Sequence, residues 1–411
     1  MRPRMKSSTP LILGAAVAGL LAASLPAQSQ SVEERLKFLE SSLVSLQQEN
    51  TALRQQIGWD GKAPAVALVR SAGTEKSFRI GGVVQGQGEF GAAADARYVG
   101  VRDRFFLRRA RLAVAAAFAE YFDVKMEADF GGGSTGERTG ITTQITDAYV
   151  NWNRYPGANV KFGQFKAPFG FEQLLPDPKV LTIERSLPND RLTDGRQIGL
   201  GLNGNLAQDR LTYAVGVFNG TSVNASANDN SSFMWAGRLA APLFAGQLGG
   251  QNMKLSVGLD GLLTRDGSVA KAGCGFDAVP GGAIDNIFFG RRTAVGLDAQ
   301  LCLGRLGLYA EYLRAEFHPT NRVPFNEVIA DGWSVLTTWF VVPKVLQALG
   351  RYETFDPNTQ LGANQSDLWT LGLTWFLKGD DLKFSFNYLI GDPVGAATRQ
   401  HRLLTRVQLV F

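Results

Sequence analysis

The chain is poor in the residues that build most active sites. Its 411 residues include only 2 cysteines and 2 histidines. Two cysteines cannot make a disulfide scaffold, and no CxxC pair or Cys/His cluster offers the closely spaced ligands of a zinc site. His318 and His401 stand alone, which leaves little for histidine-based catalysis. Charged side chains make up 19% of the chain, and 42 basic against 37 acidic residues leave a formal charge of +5, so no nucleic-acid partner is indicated. Beyond residue 27 no segment approaches the ~18 consecutive apolar residues of a membrane-spanning helix. These absences point away from an enzyme, and no cofactor or metal is expected. What is plentiful is glycine, with 47 residues, alongside an ordinary hydrophobic share of 45%. At roughly 100–200 residues per domain, length alone would suggest two or three soluble domains.

The N-terminal segment changes that estimate. Arg2, Arg4 and Lys6 precede an apolar run at 11–25, and Ala27 supplies a small residue for cleavage. Residues 1–27 therefore read as a secretory signal peptide rather than a membrane anchor, because the run is short of the ~20 residues a spanning helix needs. Its removal takes three positive charges from the +5 and leaves about +2. Residues 28–57 follow with a heptad pattern. Leu36, Leu43, Asn50 and Ile57 fall at a positions, and Leu39, Leu46 and Leu53 at d. Arg35 with Glu40, and Glu49 with Arg54, have the g-to-e spacing of neighbouring parallel helices. The pattern predicts an α-helical coiled coil that oligomerises the chain. A single amphipathic helix packed on the next domain would share it. Residues 58–77, rich in Gly, Ala and Pro, read as a linker.

From residue 78 the hydrophobic period switches to two. In 120–130, Phe122, Val124, Met126, Ala128 and Phe130 share one face, while Tyr121, Asp123, Lys125, Glu127 and Asp129 share the other. Sixteen such segments are legible: 78–90, 103–117, 120–130, 142–153, 158–165, 197–205, 210–218, 233–241, 252–263, 291–303, 305–316, 331–342, 345–355, 366–377, 381–390 and 402–411. Their connections alternate short and long, with 242–251 as a long exception on the short side. Charges on the polar face, segments of about ten residues and this alternation predict an all-β transmembrane barrel of about 16 antiparallel strands enclosing water. Phe122, Trp152, Tyr213, Trp235, Tyr312, Trp369 and Tyr388 fall on the apolar face as candidate interfacial aromatics. Terminal Phe411 closes an alternating stretch that resembles the signal read by the outer-membrane assembly machinery.

Particular motifs add a family resemblance. FFLRRARL at 105–112, KFGQFKAPFG at 161–170, IERSLP at 183–188, GRQIG at 195–199, AEYLR at 310–314, LGLTWF at 371–376 and the terminal LTRVQLVF at 404–411 together resemble the phosphate-selective porin O and P family. The resemblance spans nearly the whole barrel. It implies a signal peptide, an N-terminal extension, a sixteen-stranded trimeric barrel, a third loop folded into the lumen, and an anion path lined by arginine and lysine. It places Arg108, Arg109 and Arg111 in the basic part of the pore wall. Alternation alone sends Arg109 and Arg111 inward, opposite Phe106, Ala110, Leu112 and Val114, and puts Arg108 on the lipid side. Pairing of these arginines with Asp123, Glu127 or Asp129 on the next strand is the simpler alternative.

The third loop, about 166–196, carries Lys166, Lys179, Arg185, Arg191 and Arg196 against an equal number of acids. Its apolar residues, among them Phe169, Leu175, Ile183 and Leu187, predict packing inside the barrel rather than in water. Further inward bases by parity are Lys161, Arg238, Lys254 and Arg406, opposed by Asp147, Asp260, Asp298 and Glu311. Cys274 in the fifth long loop and Cys302 near a short turn are expected to lie apart and unbonded. The function expected is passive diffusion of small hydrophilic solutes through the Gram-negative outer membrane, favouring phosphate-like anions. The expected partners are further copies of the chain in a trimer or dimer, outer-membrane lipids, small anions and the barrel assembly machinery, with the coiled coil in the periplasm. The rival readings are an envelope anchor or adhesin acting through the coiled coil and outer loops, and a secreted soluble β-rich binding protein.

Overall fold

The computed structural model describes residues 67–70, 77–118, 120–131, 143–270, 287–320, 327–362, 364–393 and 398–411. The leader, the heptad residues from Leu36 to Ile57, and Cys274 lie outside the described residues. The strands are β1 (Ala67–Arg70), β2 (Ser77–Gly91), β3 (Arg104–Phe118), β4 (Phe122–Asp129), β5 (Gln144–Tyr155), β6 (Ala158–Lys166), β7 (Arg196–Leu206), β8 (Leu211–Phe218) and β9 (Met234–Leu248). They continue as β10 (Gln251–Ala270), β11 (Ile287–Leu303), β12 (Leu306–Pro319), β13 (Val328–Val342), β14 (Leu346–Asp356), β15 (Ser366–Lys378), β16 (Leu382–Gly391) and β17 (Gln400–Val410). Each strand from β2 to β17 pairs antiparallel with the next, and β17 returns to β2 with Val410 opposite Val83 and Arg402 opposite Gly91. The sixteen strands β2–β17 form a closed barrel. Among the described residues no helix is long and apolar enough to cross a membrane.

Alternation explains the strands and the closure together. On β10, Asp260, Leu262, Thr264 and Asp266 are buried inside, while Leu259 and Leu263 are exposed outside. The outer wall continues this way with Val295, Leu297, Leu371, Leu373, Phe386 and Leu409. An apolar belt of that extent is tolerable only against lipid. Trp235, Trp369 and Tyr388 are exposed outside, joined by Trp333, Trp339 and Trp375, while Phe122, Trp152, Tyr213 and Tyr312 are half-buried.

Several strand boundaries depart from the sequence pattern for local reasons. The stretch 242–251 is not a long turn. Strand β9 runs on to Leu248, Pro242 sits where the β9–β10 register shifts, and the turn is Gly249-Gly250 alone. A bulge is a place where proline's missing N–H is tolerated, and both glycines adopt the positive φ (57° and 76°) that a two-residue hairpin turn requires. Strands β10 and β11 extend past residues 263 and 291 into the expected fifth loop, pairing as far as Ala270 with Ile287. The 58–77 stretch is not wholly linker, because β1 pairs with the start of β2, Ala67 opposite Ile80 and Arg70 opposite Ser77. It prolongs the sheet on the edge of β2 beyond the point where β17 ends. Nor is the inner face uniformly polar. Ala236, Leu262, Ala294, Leu313, Ala315, Phe317, Ala330 and Phe355 form an apolar cluster inside the wall.

The seam between first and last barrel strands is close-packed. Gly82 N–H donates to the Phe411 carbonyl at 2.8 Å, and Phe411 N–H returns the bond to Gly82 at 3.1 Å. A Cβ on Gly82 would stand 2.6 Å from the Arg111 carbonyl oxygen and 2.5 Å from the Phe411 ring, closer than side chains approach. Gly82→Val is therefore expected to open the seam. The heat-modifiable, fast-migrating form of the unboiled protein on a gel should fall sharply relative to wild type; unchanged migration would count against this account.

Candidate functional site

Residues 167–195 enter the barrel and dock on its wall. Two short helices, α1 (Phe171–Leu174) and α2 (Leu187–Leu192), and a one-turn helix at Asp177–Lys179 give the loop its shape. Ser186 caps α2, accepting from the Asn189 N–H, and Pro188 occupies its first turn. Buried Phe169, Leu187 and Leu192 pack into the inner apolar cluster, so this part of the loop has a true hydrophobic core inside the barrel.

The loop's acids meet the wall's arginines. Glu184 accepts from Arg108 Nε at 2.8 Å, from Arg406 Nη2 at 2.6 Å and from Gln87 Nε2 at 3.1 Å. Asp177 pairs with Arg109 Nη2 at 3.2 Å, with Arg111, and with the loop's own Arg185 at 2.8 Å. Glu172 takes Arg351 Nη1 at 3.3 Å and caps the Ser186 N–H at 2.8 Å. Asp194 pairs with Arg292 at 2.8 Å. Burial would push the Asp177 and Glu184 carboxyls up, but the facing guanidiniums outweigh it: Arg109, Arg185 and Arg111 hold Asp177, and Arg108 and Arg406 hold Glu184, well below the ordinary carboxylate range. Hydrogen bonds between the loop's backbone and wall side chains add to this. Ile183 N–H donates to Asn387 Oδ1 at 2.6 Å, Leu187 N–H to Glu353 Oε1 at 2.9 Å, and Lys383 Nζ to the Pro178 carbonyl at 2.7 Å.

A second loop also turns inward. Tyr98, on a one-turn helix at Ala96–Tyr98, is buried beside Ala94, Ile183, Leu389 and Leu404. Arg97 bonds Asp95 at 2.6 Å and donates to the Arg185 carbonyl at 2.8 Å, joining the two loops. Arg402 is wholly buried beneath them, with its guanidinium 4.7 Å from the Tyr98 ring. The inward loops thus occupy the lumen against β14–β17, β2 and β3.

A sequence model of phosphate-selective porin O and P matches residues 79–411. The chain belongs to this family. Among curated proteins none matches this porin. Its fold is similar to the anion-selective porin from Comamonas acidovorans, at 14% identity over 82% of this chain and 100% of that one, with a TM-score of 0.58. It is also similar to the outer-membrane channel DcaP of Acinetobacter baumannii (15% identity, 84% and 99% covered, TM-score 0.56) and to Salmonella typhi OmpF solved with daunomycin (12%, 84% and 100%, 0.57). Family and barrel together make this porin an outer-membrane diffusion channel.

Arg108 does not face lipid. The β2–β3 register steps from Gln85 opposite Arg109 to Gly86 opposite Leu107, leaving Arg108 as the extra residue of a bulge. Both Arg108 and Arg109 consequently point inward and are buried. The bulge also reverses parity above it: Phe105 and Leu107 are exposed outside, and Phe106 lies under the Arg104 guanidinium at 4.3 Å. Arg111 does pair across the strand with Asp129, at 2.7 Å, in addition to Asp177. With Arg196, which bonds Asp147 at 2.7 Å, the three arginines line a cavity of about 230 Å³ on the long-loop side of the docked loop, opposed by Asp129 and Asp194.

The other candidate bases divide into held and uncommitted. Arg238 is held by Asp260 at 2.8 Å and Asp298 at 2.7 Å. Lys166 donates to the Gln173 and Leu175 carbonyls at 2.6 and 2.7 Å, and Arg185 to the Glu172 carbonyl at 2.9 Å, so both brace the loop itself. Lys161 lies over the Tyr149 ring at 4.4 Å. Among the described residues no carboxylate pairs with Lys161, Lys179, Arg191 or Lys254. Sequence reasoning missed Arg351, Arg292, Arg402 and Arg97, and missed that the loop's acids are its anchors. A charged residue inside an alternating strand was the available signal for Arg351; Arg97 gave none.

The depressed values of Asp177 and Glu184 mean that these two clamps are fully present at neutral pH, persist through the ordinary carboxylate range, and are lost only as pH falls through the lowered values. Wild-type single-channel conductance should therefore stay flat on mild acidification and rise only in stronger acid. Glu184→Gln leaves Arg108 and Arg406 facing a neutral amide, a loss on the order of 3–5 kcal/mol for a broken buried pair. It should show at pH 7 the larger, noisier conductance that wild type shows only in strong acid.

Proposed function

We propose that this porin is a passive channel for small hydrophilic solutes with a preference for anions, phosphate-like ions among them. The observation that carries the reading is the division of charge in the lumen. The docked loop consumes most guanidiniums in ion pairs, while Lys161, Lys179 and Lys254 have no carboxylate partner among the described residues. Uncommitted ammonium groups beside a constriction attract anions and repel cations, which is how fixed side-chain charge produces ion selectivity. In this reading the long loops face the outside, residues 1–27 are removed on export, and Phe411 serves barrel assembly. The purified protein in a planar bilayer under a KCl gradient should give a reversal potential of anion-preferring sign. A cation-preferring sign would sink the selectivity while keeping the channel.

The chain also assembles with itself, as a trimer held by the heptad residues Leu36, Leu39, Leu43, Leu46, Asn50, Leu53 and Ile57 on the periplasmic side. The heptad pattern and the family's trimeric habit support this reading. Deleting residues 28–57 should leave unit conductance intact and lower the temperature at which the oligomer dissociates on an unboiled gel. Loss of envelope attachment with an unchanged oligomer would favour the tethering role instead.

A further inference from the structure

A second cavity lies on the other side of the docked loop, between it and the short-turn ends of β10–β12, and measures about 220 Å³. Its composition differs from the arginine cavity. The loop contributes Phe171, Leu175 and Leu181 together with Lys179, and the wall contributes Lys254 and Tyr309 along with the uncharged Ser256, Gln300 and Cys302. The Phe171 and Tyr309 rings stack, 6.4 Å between centroids and 8° from parallel, giving the cavity a flat aromatic side. Both lysines are exposed into it and lack a carboxylate partner among the described residues.

No guanidinium lines this cavity. A phosphate ion is best matched by guanidinium forks or by several converging backbone N–H groups. Lysine supplies a compact point charge without that fork. The Phe171, Leu175 and Leu181 side of the cavity is apolar and offers a hydrated inorganic ion nothing. A solute with one carboxylate and an apolar body can use both parts: the carboxylate meets the ammonium groups, and its ring or chain removes water from Phe171, Leu175 and Leu181. The volume falls below the ~300–1,000 Å³ of sites for drug-sized ligands, which limits the solute to a small acid.

We propose that this cavity is a transit subsite for small organic carboxylates with an aromatic or short aliphatic body. The inference rests on the anion-channel reading and narrows it to a substrate class. The test uses the full-length protein in planar bilayers carrying chloride current, with benzoate as probe and acetate and inorganic phosphate as controls. Benzoate should reduce the current with a half-blocking concentration about tenfold or more below that of acetate or phosphate, the discrimination a small apolar contact provides. Replacing both lysines (Lys179→Gln with Lys254→Gln) should raise that concentration about tenfold. Leu181→Asn should erase the advantage of benzoate over acetate while leaving acetate's own effect in place. Equal block by benzoate and acetate in wild type overturns the proposal, and needs no variant to fold. So does a benzoate response that none of the substitutions changes. A cation-preferring reversal potential with benzoate discrimination retained would overturn the broader anion reading and leave the subsite standing.

Discussion

The constraint on which everything else depends is the absence of water in the bilayer core. Each backbone N–H and C=O at that depth needs a partner within the protein, and an open sheet edge would leave a row of them unpaired. Closure of β17 on β2 meets the requirement, down to the reciprocal bonds between Gly82 and Phe411. Once the sheet is closed, the side-chain period of two sorts the chain into a lipid-facing wall and a lumen. The hydrophobic share that looked ordinary is therefore divided: part lies against lipid and part, around Phe169, Leu187 and Leu192, is a core inside the barrel.

The lumen's chemistry is governed by the loop that enters it. A loop carrying acids at Glu172, Asp177, Glu184 and Asp194 finds an arginine at each docking point. Removing either side of such a pair strands a buried charge, which makes the loop's position well determined even where pairing adds little net stability. The same pairing changes the meaning of the arginines. Clustered in the sequence, they suggest a bare positive ladder; in the fold they are fasteners, and among the described residues positive charge without a carboxylate partner is carried by Lys161, Lys179, Arg191 and Lys254.

Most of the barrel was legible because its determinant is local. Alternation at 120–130 or 402–411 depends only on neighbours along the chain, and the short and long connections fix the up-and-down order. Legibility failed where a feature depends on a partner strand. The bulge at Arg108 is invisible in FFLRRARL because it is defined by the step between Gln85 and Gly86 opposite. The continuation of β9 through Pro242 likewise depends on a register shift against β10. Apolar residues in 166–196 and their burial were readable, whereas which arginine meets which acid is a property of three-dimensional proximity. Glu184 and Arg406 lie 222 positions apart.

That separation has a consequence for the order of assembly. Glu184 gathers Gln87 from β2, Arg108 from β3 and Arg406 from β17, and Pro178 nearby receives Lys383 from β16 and Gln408 from β17. These groups come from the two extremes of the barrel and converge only after its ends have met. A residue near the middle of the chain thus acts as a latch across the join, and the loop cannot take its final seat while the cylinder is open. The loop's full set of bonds is therefore complete no earlier than the wall that surrounds it.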